Sequence, residues 1–193
     1  MTVDDIRDEL TQILTDENPK DAMLQAYTSG LTRVILPEFD IMMNCSQNTP
    51  YHYANVGFHT LDTVKSVENT PVLRWAALLH DIGKPNVKVW VEEKQRERFL
   101  GHAEESVRIS KAILERLKFP ESDTNMILKL VKLHDFYTEN EMALKGFADD
   151  YGAEFIDNLE KLAMADASAH SDMCRDELIR KKKAMFTKMR AYM

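Results

Sequence analysis

The chain has 193 residues, 44% hydrophobic and 30% charged, with a formal net charge of −7, a balance that suits one packed core and excludes a disordered chain. No apolar run approaches the roughly 18 residues of a membrane span, and the acidic first ten residues lack the charged-then-apolar order of a secretion signal. Six glycines, never closer than six positions, exclude a glycine-rich phosphate loop, and no G-x-S-x-G elbow is present.

In chain order, apolar positions recur at helical spacing almost throughout. The pattern predicts helices at 3–15, 20–34, 55–69, 71–82, 102–118, 122–136, 141–151, 153–170 and 172–191, with the six prolines at or between their limits. One extended stretch, 87–91, has a candidate partner at 98–100. The expected fold is all-α, a single domain with at most one short β-hairpin. Its N-terminal helices occupy 1–34, its core 35–171 and a basic C-terminal helix 172–193. Cys45 and Cys174 have no C-x-x-C spacing, which points to a reducing, cytoplasmic compartment.

The six histidines become informative through register. Leu73, Ala76, Ala77 and His80 follow i, i+3, i+4, i+7, so His80 falls on the buried stripe of its helix. Met126, Ile127, Leu130, Val131 and His134 repeat the arrangement, and Val56, His59, Thr63 and Val67 follow it less cleanly. The run Phe155, Ile156, Leu159, Leu162, Ala163, Asp166 ends in a carboxylate on an apolar face. A buried carboxylate is costly unless paired or bound to a cation. Imidazole and carboxylate together form a ligand set for divalent metal. Both His80 and His134 are followed by aspartate, Asp81 and Asp135. Gly83 is expected to cap the helix and let the chain turn away, leaving Lys84 at the rim to meet an anion. The competing account is a bundle whose polar core residues pair with one another; it is weakest at Asp166.

These residues carry a resemblance. His59, then His80-Asp81, then Asp166, with HDIGKP at 80–85, resembles the HD superfamily of metal-dependent phosphohydrolases. The stretches ILPEFDIMMNCSQNTPYHYANVGFHTLDTV (35–64), LRWAALLHDIGKP (73–85), GHAEESVRISKAILERLKFP (101–120), LVKLHDFY (130–137) and MADASAHS (164–171) are similar to the HD region of bacterial tRNA nucleotidyltransferases. The nucleotidyltransferase domain of those proteins, with its Gly-Gly stretch and D-x-D motif, has no counterpart among these residues, so CCA addition is not expected. LHDFYTEN at 133–140 departs from the HD-GYP signature.

The resemblance implies that His59, His80, Asp81 and Asp166 hold a first divalent metal. It implies that Asp81 bridges to a second, held by His102 and His134, with Asp135 as a further ligand or as an orienting group. One or two ions are expected, drawn from Mg, Mn, Fe, Co, Ni or Zn. It further implies hydrolysis of nucleotide or RNA-end phosphoesters, of the 2′,3′-cyclic phosphodiesterase, 2′-nucleotidase or phosphatase type. Asp81 would activate water and Lys84 would meet the phosphate. The alternative is a non-catalytic module that grips an RNA end or nucleotide. Trp75 reads as core. Trp90 and His170 are candidates for substrate contact, although His52 and His170 read first as solvent-exposed.

Residues 178–193 hold six basic side chains and no acid, so of the net −7 the remainder carries −13. Two readings stand for this end. Leu178, Met185, Phe186 and Met189 face inward and leave Arg180, Lys181, Lys182 and Lys183 as a solvated face, or the cluster guides an RNA end to the site.

Overall fold

The computed structural model describes residues 2–52 and 54–193. Helices α1 (Val3–Leu14), α2 (Pro19–Thr28), α3 (Leu31–Ile35) and α4 (Pro37–Met43) lead into α5 (Val56–Ser66) and α6 (Pro71–Leu79). A short α7 (Lys84–Val87) opens onto the hairpin β1 (Val89–Val91) and β2 (Arg96–Arg98). Then come α8 (His102–Arg116), α9 (Glu121–Leu133), α10 (Glu141–Ser168) and α11 (Arg175–Arg190). The all-α expectation holds, and β1 lies within the extended stretch predicted at 87–91, while β2 starts two residues before the candidate partner at 98–100, with Val89 opposite Arg98 and Val91 opposite Arg96.

Local chemistry fixes the helix starts. Pro19, Pro37 and Pro71 sit in the first turns of α2, α4 and α6, where a missing N–H leaves nothing unsatisfied. Asn55, Thr70 and Asn140 cap α5, α6 and α10 through their side-chain oxygens. Several elements differ from expectation. The single helix predicted at 20–34 is broken at Gly30, whose φ of 79° lies in the left-handed region. Helix α4 falls where none was predicted; its seven residues are too few to show a period. Helices α6 and α9 stop about one turn short of their predicted ends because the next residue, His80 or His134, bonds through Nδ1 to the carbonyl three residues back, Ala77 or Val131, each at 2.7 Å. The predicted gap between 151 and 153 is a kink at Gly152 within α10.

Helix α10 packs against α5, α6, α9 and α11, and α6 packs against α5 and α9, so the helix ends carrying His80, His134 and Asp166 meet around one point. Trp75 is fully buried, edge-on to Phe119, with its indole N–H donating to Thr11 at 2.9 Å.

Gly83 does not act as the expected C-cap: α6 ends at Leu79 with His80 as its cap residue. The φ of Gly83 is −83°, and what it permits is contact. A Cβ there would lie 2.4 Å from the Ser106 nitrogen and 2.7 Å from the His102 oxygen, both in the first turns of α8. Gly83→Ala is therefore expected to destabilise the fold by about 1–3 kcal/mol, the usual range for overpacking. Denaturant unfolding would measure the loss, and an unchanged midpoint would show that α8 yields.

Candidate metal centre

Four buried or nearly buried imidazoles converge on two buried carboxylates. His59 comes from the first turn of α5, His80 and Asp81 from the end of α6, His102 from the start of α8, His134 from the end of α9 and Asp166 from the last turns of α10. His59 Nε2 lies 3.0 Å from Asp166 Oδ1 and 3.7 Å from Asp81 Oδ2. His80 Nε2 lies 3.2 Å from Asp81 Oδ2 and 3.7 Å from Asp166 Oδ1. On the other side, Asp81 Oδ1 faces His102 Nε2 at 3.4 Å and His134 Nε2 at 3.8 Å. Asp81 thus turns one oxygen to each of two donor sets.

The imidazoles are pre-oriented. Each presents Nδ1 to a backbone carbonyl: His59 to Ala169 at 3.3 Å, His80 to Ala77 and His134 to Val131 at 2.7 Å, and His102 to Phe99 at 2.9 Å. An N–H at Nδ1 leaves Nε2 as an inward-facing lone pair, the arrangement found where histidine binds metal. With both rings neutral, His102 Nε2 and His134 Nε2, 3.2 Å apart, would face each other as two acceptors, which a cation between them would reconcile. Burial holds His59 and His134 below the ordinary imidazole pKa, which favours the neutral form that can donate an electron pair, whereas Asp81 beside His80 and Asp135 beside His102 outweigh burial and hold those two above it. Burial alone would raise the Asp81 and Asp166 carboxyls. The Lys84 charge beside Asp81, and the His59 hydrogen bond on Asp166, outweigh it and hold both well below the usual carboxylate range.

Two buried atoms complete no hydrogen bond here, His80 Nε2 and Asp81 Oδ1, one facing each donor set. Among the described residues three groups have ligand atoms close enough to share an ion: His59, His80 and Asp81; His59, Asp166 and His170; and Asp81, His102 and His134. The donor types and the two orphaned atoms fit divalent metal.

Other site expectations need revision. Lys84 is not at the rim: it is buried, with Nζ 2.6 Å from Asp81 Oδ2 and 2.9 Å from Gln47 Oε1, because its i, i+3 spacing from Asp81 folds it back over the carboxylate. His52 and His170 are not solvent-exposed but half-buried, their rings 4.6 and 5.1 Å from that of His59. His170 Nδ1 donates to the Asp166 carbonyl at 2.9 Å. Asp135 lies 3.2 Å from His102 Nε2 with its side chain 57% exposed, at the open end of the second set. Trp90 is exposed on β1, its indole donating to Glu92 at 2.7 Å, and does not line the cleft above the centre. That cleft, about 420 Å³, is bounded by Thr49, Tyr51, Lys84, Arg96, Arg98 and His102 among others.

The basic C-terminal end fits neither reading as a unit. Met185, Phe186 and Met189 are buried as expected and Leu178 is half-buried, but Lys182 is buried with them. Its Nζ donates to the His134 carbonyl at 3.1 Å and lies 3.7 Å from Asp166 Oδ2. Lys181 pairs with Glu177 at 2.6 Å. Lys182 and Gln47 are the site neighbours that sequence reasoning missed. Register held a signal for Lys182, which stands three, four and seven positions before Met185, Phe186 and Met189. Gln47 lies in a loop and had none.

Among the described residues no helix is long and apolar enough to cross a membrane. Comparison with known proteins finds a "CC-adding tRNA nucleotidyltransferase" of Thermus thermophilus 32% identical over 148 residues, 74% of this chain and 34% of that protein. An "A-adding tRNA nucleotidyltransferase" of Deinococcus radiodurans is 28% identical over 178 residues, 90% of this chain and 41% of that protein. A "Multifunctional CCA protein" of Legionella pneumophila is 28% identical over 130 residues, 65% of this chain and 31% of that protein. The chain therefore spans about a third to two fifths of the length of these relatives. The profile of the HD domain matches residues 51–171, a span that contains every histidine and aspartate of both donor sets. By that match the chain belongs to the HD domain family, whose superfamily comprises metal-dependent phosphohydrolases.

Proposed function

We propose that this chain hydrolyses nucleotide or RNA-end phosphoesters with one or two divalent ions, by 2′,3′-cyclic phosphodiesterase, 2′-nucleotidase or phosphatase chemistry. The observation that carries the reading is the double-facing Asp81 carboxylate, with His59 and His80 on one side and His102 and His134 on the other. His59, His80, Asp81 and Asp166 would hold one ion, and Asp81, His102 and His134 the second, with Asp135 beside them. Bound metal supplies a water of lowered pKa and positive charge for the phosphoryl oxygens. Two of the relatives are tRNA nucleotidyltransferases and the third is a CCA protein, which favours an RNA end as the substrate class.

The protein's own groups do the rest. Asp81 orients the attacking water and can take its proton. Lys84, fixed by Gln47 at the cleft floor, is placed to neutralise a phosphate oxygen once the charge of Asp81 is shared with metal. The carbonyl anchors on four Nδ1 atoms hold the imidazoles in place, so little reorganisation is needed.

A second reading, a module that binds a nucleotide without turnover, draws on the Lys84–Asp81 pair at 2.6 Å, which gives the carboxylate a cation without metal. Metal analysis by mass spectrometry with a panel of nucleotide phosphoesters separates the two. One or two divalent ions per chain with turnover is expected; a protein that stays metal-free after reconstitution would overturn the hydrolase reading.

His102→Ala and His134→Ala are each expected to remove one metal equivalent and weaken turnover without emptying the first set. Full metal content at full rate in either variant would make the centre mononuclear.

A further inference from the structure

Beside the cleft lies a second cavity of about 640 Å³, within the ~300–1,000 Å³ range of small-molecule sites. The two share Thr49, His52 and Arg96 as walls, and the His52 ring stands 4.6 Å from that of His59. The second cavity therefore adjoins the first donor set.

Its lining is unusual for an acidic protein. Among the described residues no carboxylate lines it; its walls are hydroxyls, amides, the His52 imidazole, Pro50, Ala54 and two cations, Lys94 and Arg96. Neither cation forms an ion pair among the described residues. Arg96 instead rests 5.5 Å from the centre of the Tyr51 ring and donates to its hydroxyl at 3.2 Å, which holds the guanidinium at the junction of the two cavities. The shared wall also carries unspent hydrogen-bonding capacity, since Thr49 Oγ1 and His52 Nδ1 have no partner among the described residues. A guanidinium so held suits a phosphate. A polar, uncharged wall suits the hydroxyls and base edge of a nucleoside, whereas an apolar ligand would leave Thr49 and His52 unsatisfied.

We propose that this cavity is a second nucleotide subsite, which takes the nucleoside preceding the reacting end of an RNA, with the linking phosphate on Arg96 and Lys94. The proposal rests on the phosphohydrolase reading above for the identity of the reacting end. It assigns the chain a preference for two or more linked nucleotides over a mononucleotide.

The test compares adenosine 2′,3′-cyclic phosphate with adenylyl-adenosine ending in the same cyclic phosphate, on the metal-loaded protein. The wild type is expected to favour the dinucleotide in kcat/KM. Lys94→Glu, an exposed position at the hairpin turn whose replacement spares the core, should lower the dinucleotide-to-mononucleotide ratio about tenfold, an effect screened by salt. Thr49→Val should lower the same ratio without salt dependence. Calorimetric binding of the 3′-phosphorothioates of adenosine and of adenylyl-adenosine reports the subsite even if neither cyclic phosphate is turned over, so loss of the hydrolase reading and loss of the subsite are distinguishable. Equal affinity for the two phosphorothioates, or a Lys94→Glu loss equal for both, would overturn the subsite.

Discussion

Asp81→Asn should abolish phosphoester hydrolysis and remove both metal equivalents together, while the far-ultraviolet helical signal remains. The asparagine keeps the volume and one acceptor oxygen but loses the charge that both donor sets share. Among the described residues no other carboxylate in the centre faces both: of the imidazoles, Asp166 approaches His59, His80 and His170, and Asp135 approaches His102 and His134. The substitution also leaves Lys84 buried beside a neutral amide, so the metal-free variant should melt below the metal-free wild type. Metal analysis, turnover of a cyclic phosphoester and a thermal melt form the test. A variant that keeps one ion and part of its rate would show that Asp81 serves one set alone.

Much of this centre was legible because burial and helical period act on the same residues. His80 and His134 each end an apolar stripe, so the rule that places Ala77 or Val131 in the core also places the imidazole there. Asp166 was legible for the opposite reason, as a charge where only apolar side chains belong. What escaped had no period to reveal it, or had one masked by its neighbours. Gln47 and His52 belong to the irregular segment between α4 and α5, whose placement depends on hydrogen bonds to distant residues, such as the Asn48 N–H to Glu97 at 2.6 Å. Lys84 is expected at the rim because Gly83 should turn the chain away from the site, and the pairing that buries it depends on Asp81 being inward. The split of 20–34 at Gly30 was masked because apolar spacing continues across the break. The hairpin and the kink at Gly152 were legible from β-branched residues and from glycine at a helix limit.

Lys182 shows most clearly how a charge run conceals a buried residue, and its replacement carries the second large effect. Read as part of Arg180, Lys181, Lys182 and Lys183, it belongs to a solvated face; read against Met185, Phe186 and Met189, it belongs to the core, where the structure places it. Its ammonium donates to the His134 carbonyl and stands 3.7 Å from Asp166 Oδ2, so helix α11 ties both donor sets from outside the matched family span. Lys182→Met keeps the apolar stem but removes the charge. In chelator this should cost about 3 kcal/mol, the low end for breaking a buried pair, seen as a melting point lower by roughly 6–12 °C for a chain of this length. With excess Mn²⁺ the loss should shrink, because a bound cation then offsets the Asp166 charge that Lys182 otherwise faces alone from α11. Lys182→Arg, which restores the charge, should recover part of the chelator deficit. If Lys182→Met lowers the melting point equally in chelator and in Mn²⁺, Lys182 is a packing residue of α11 and has no electrostatic hold on the metal centre.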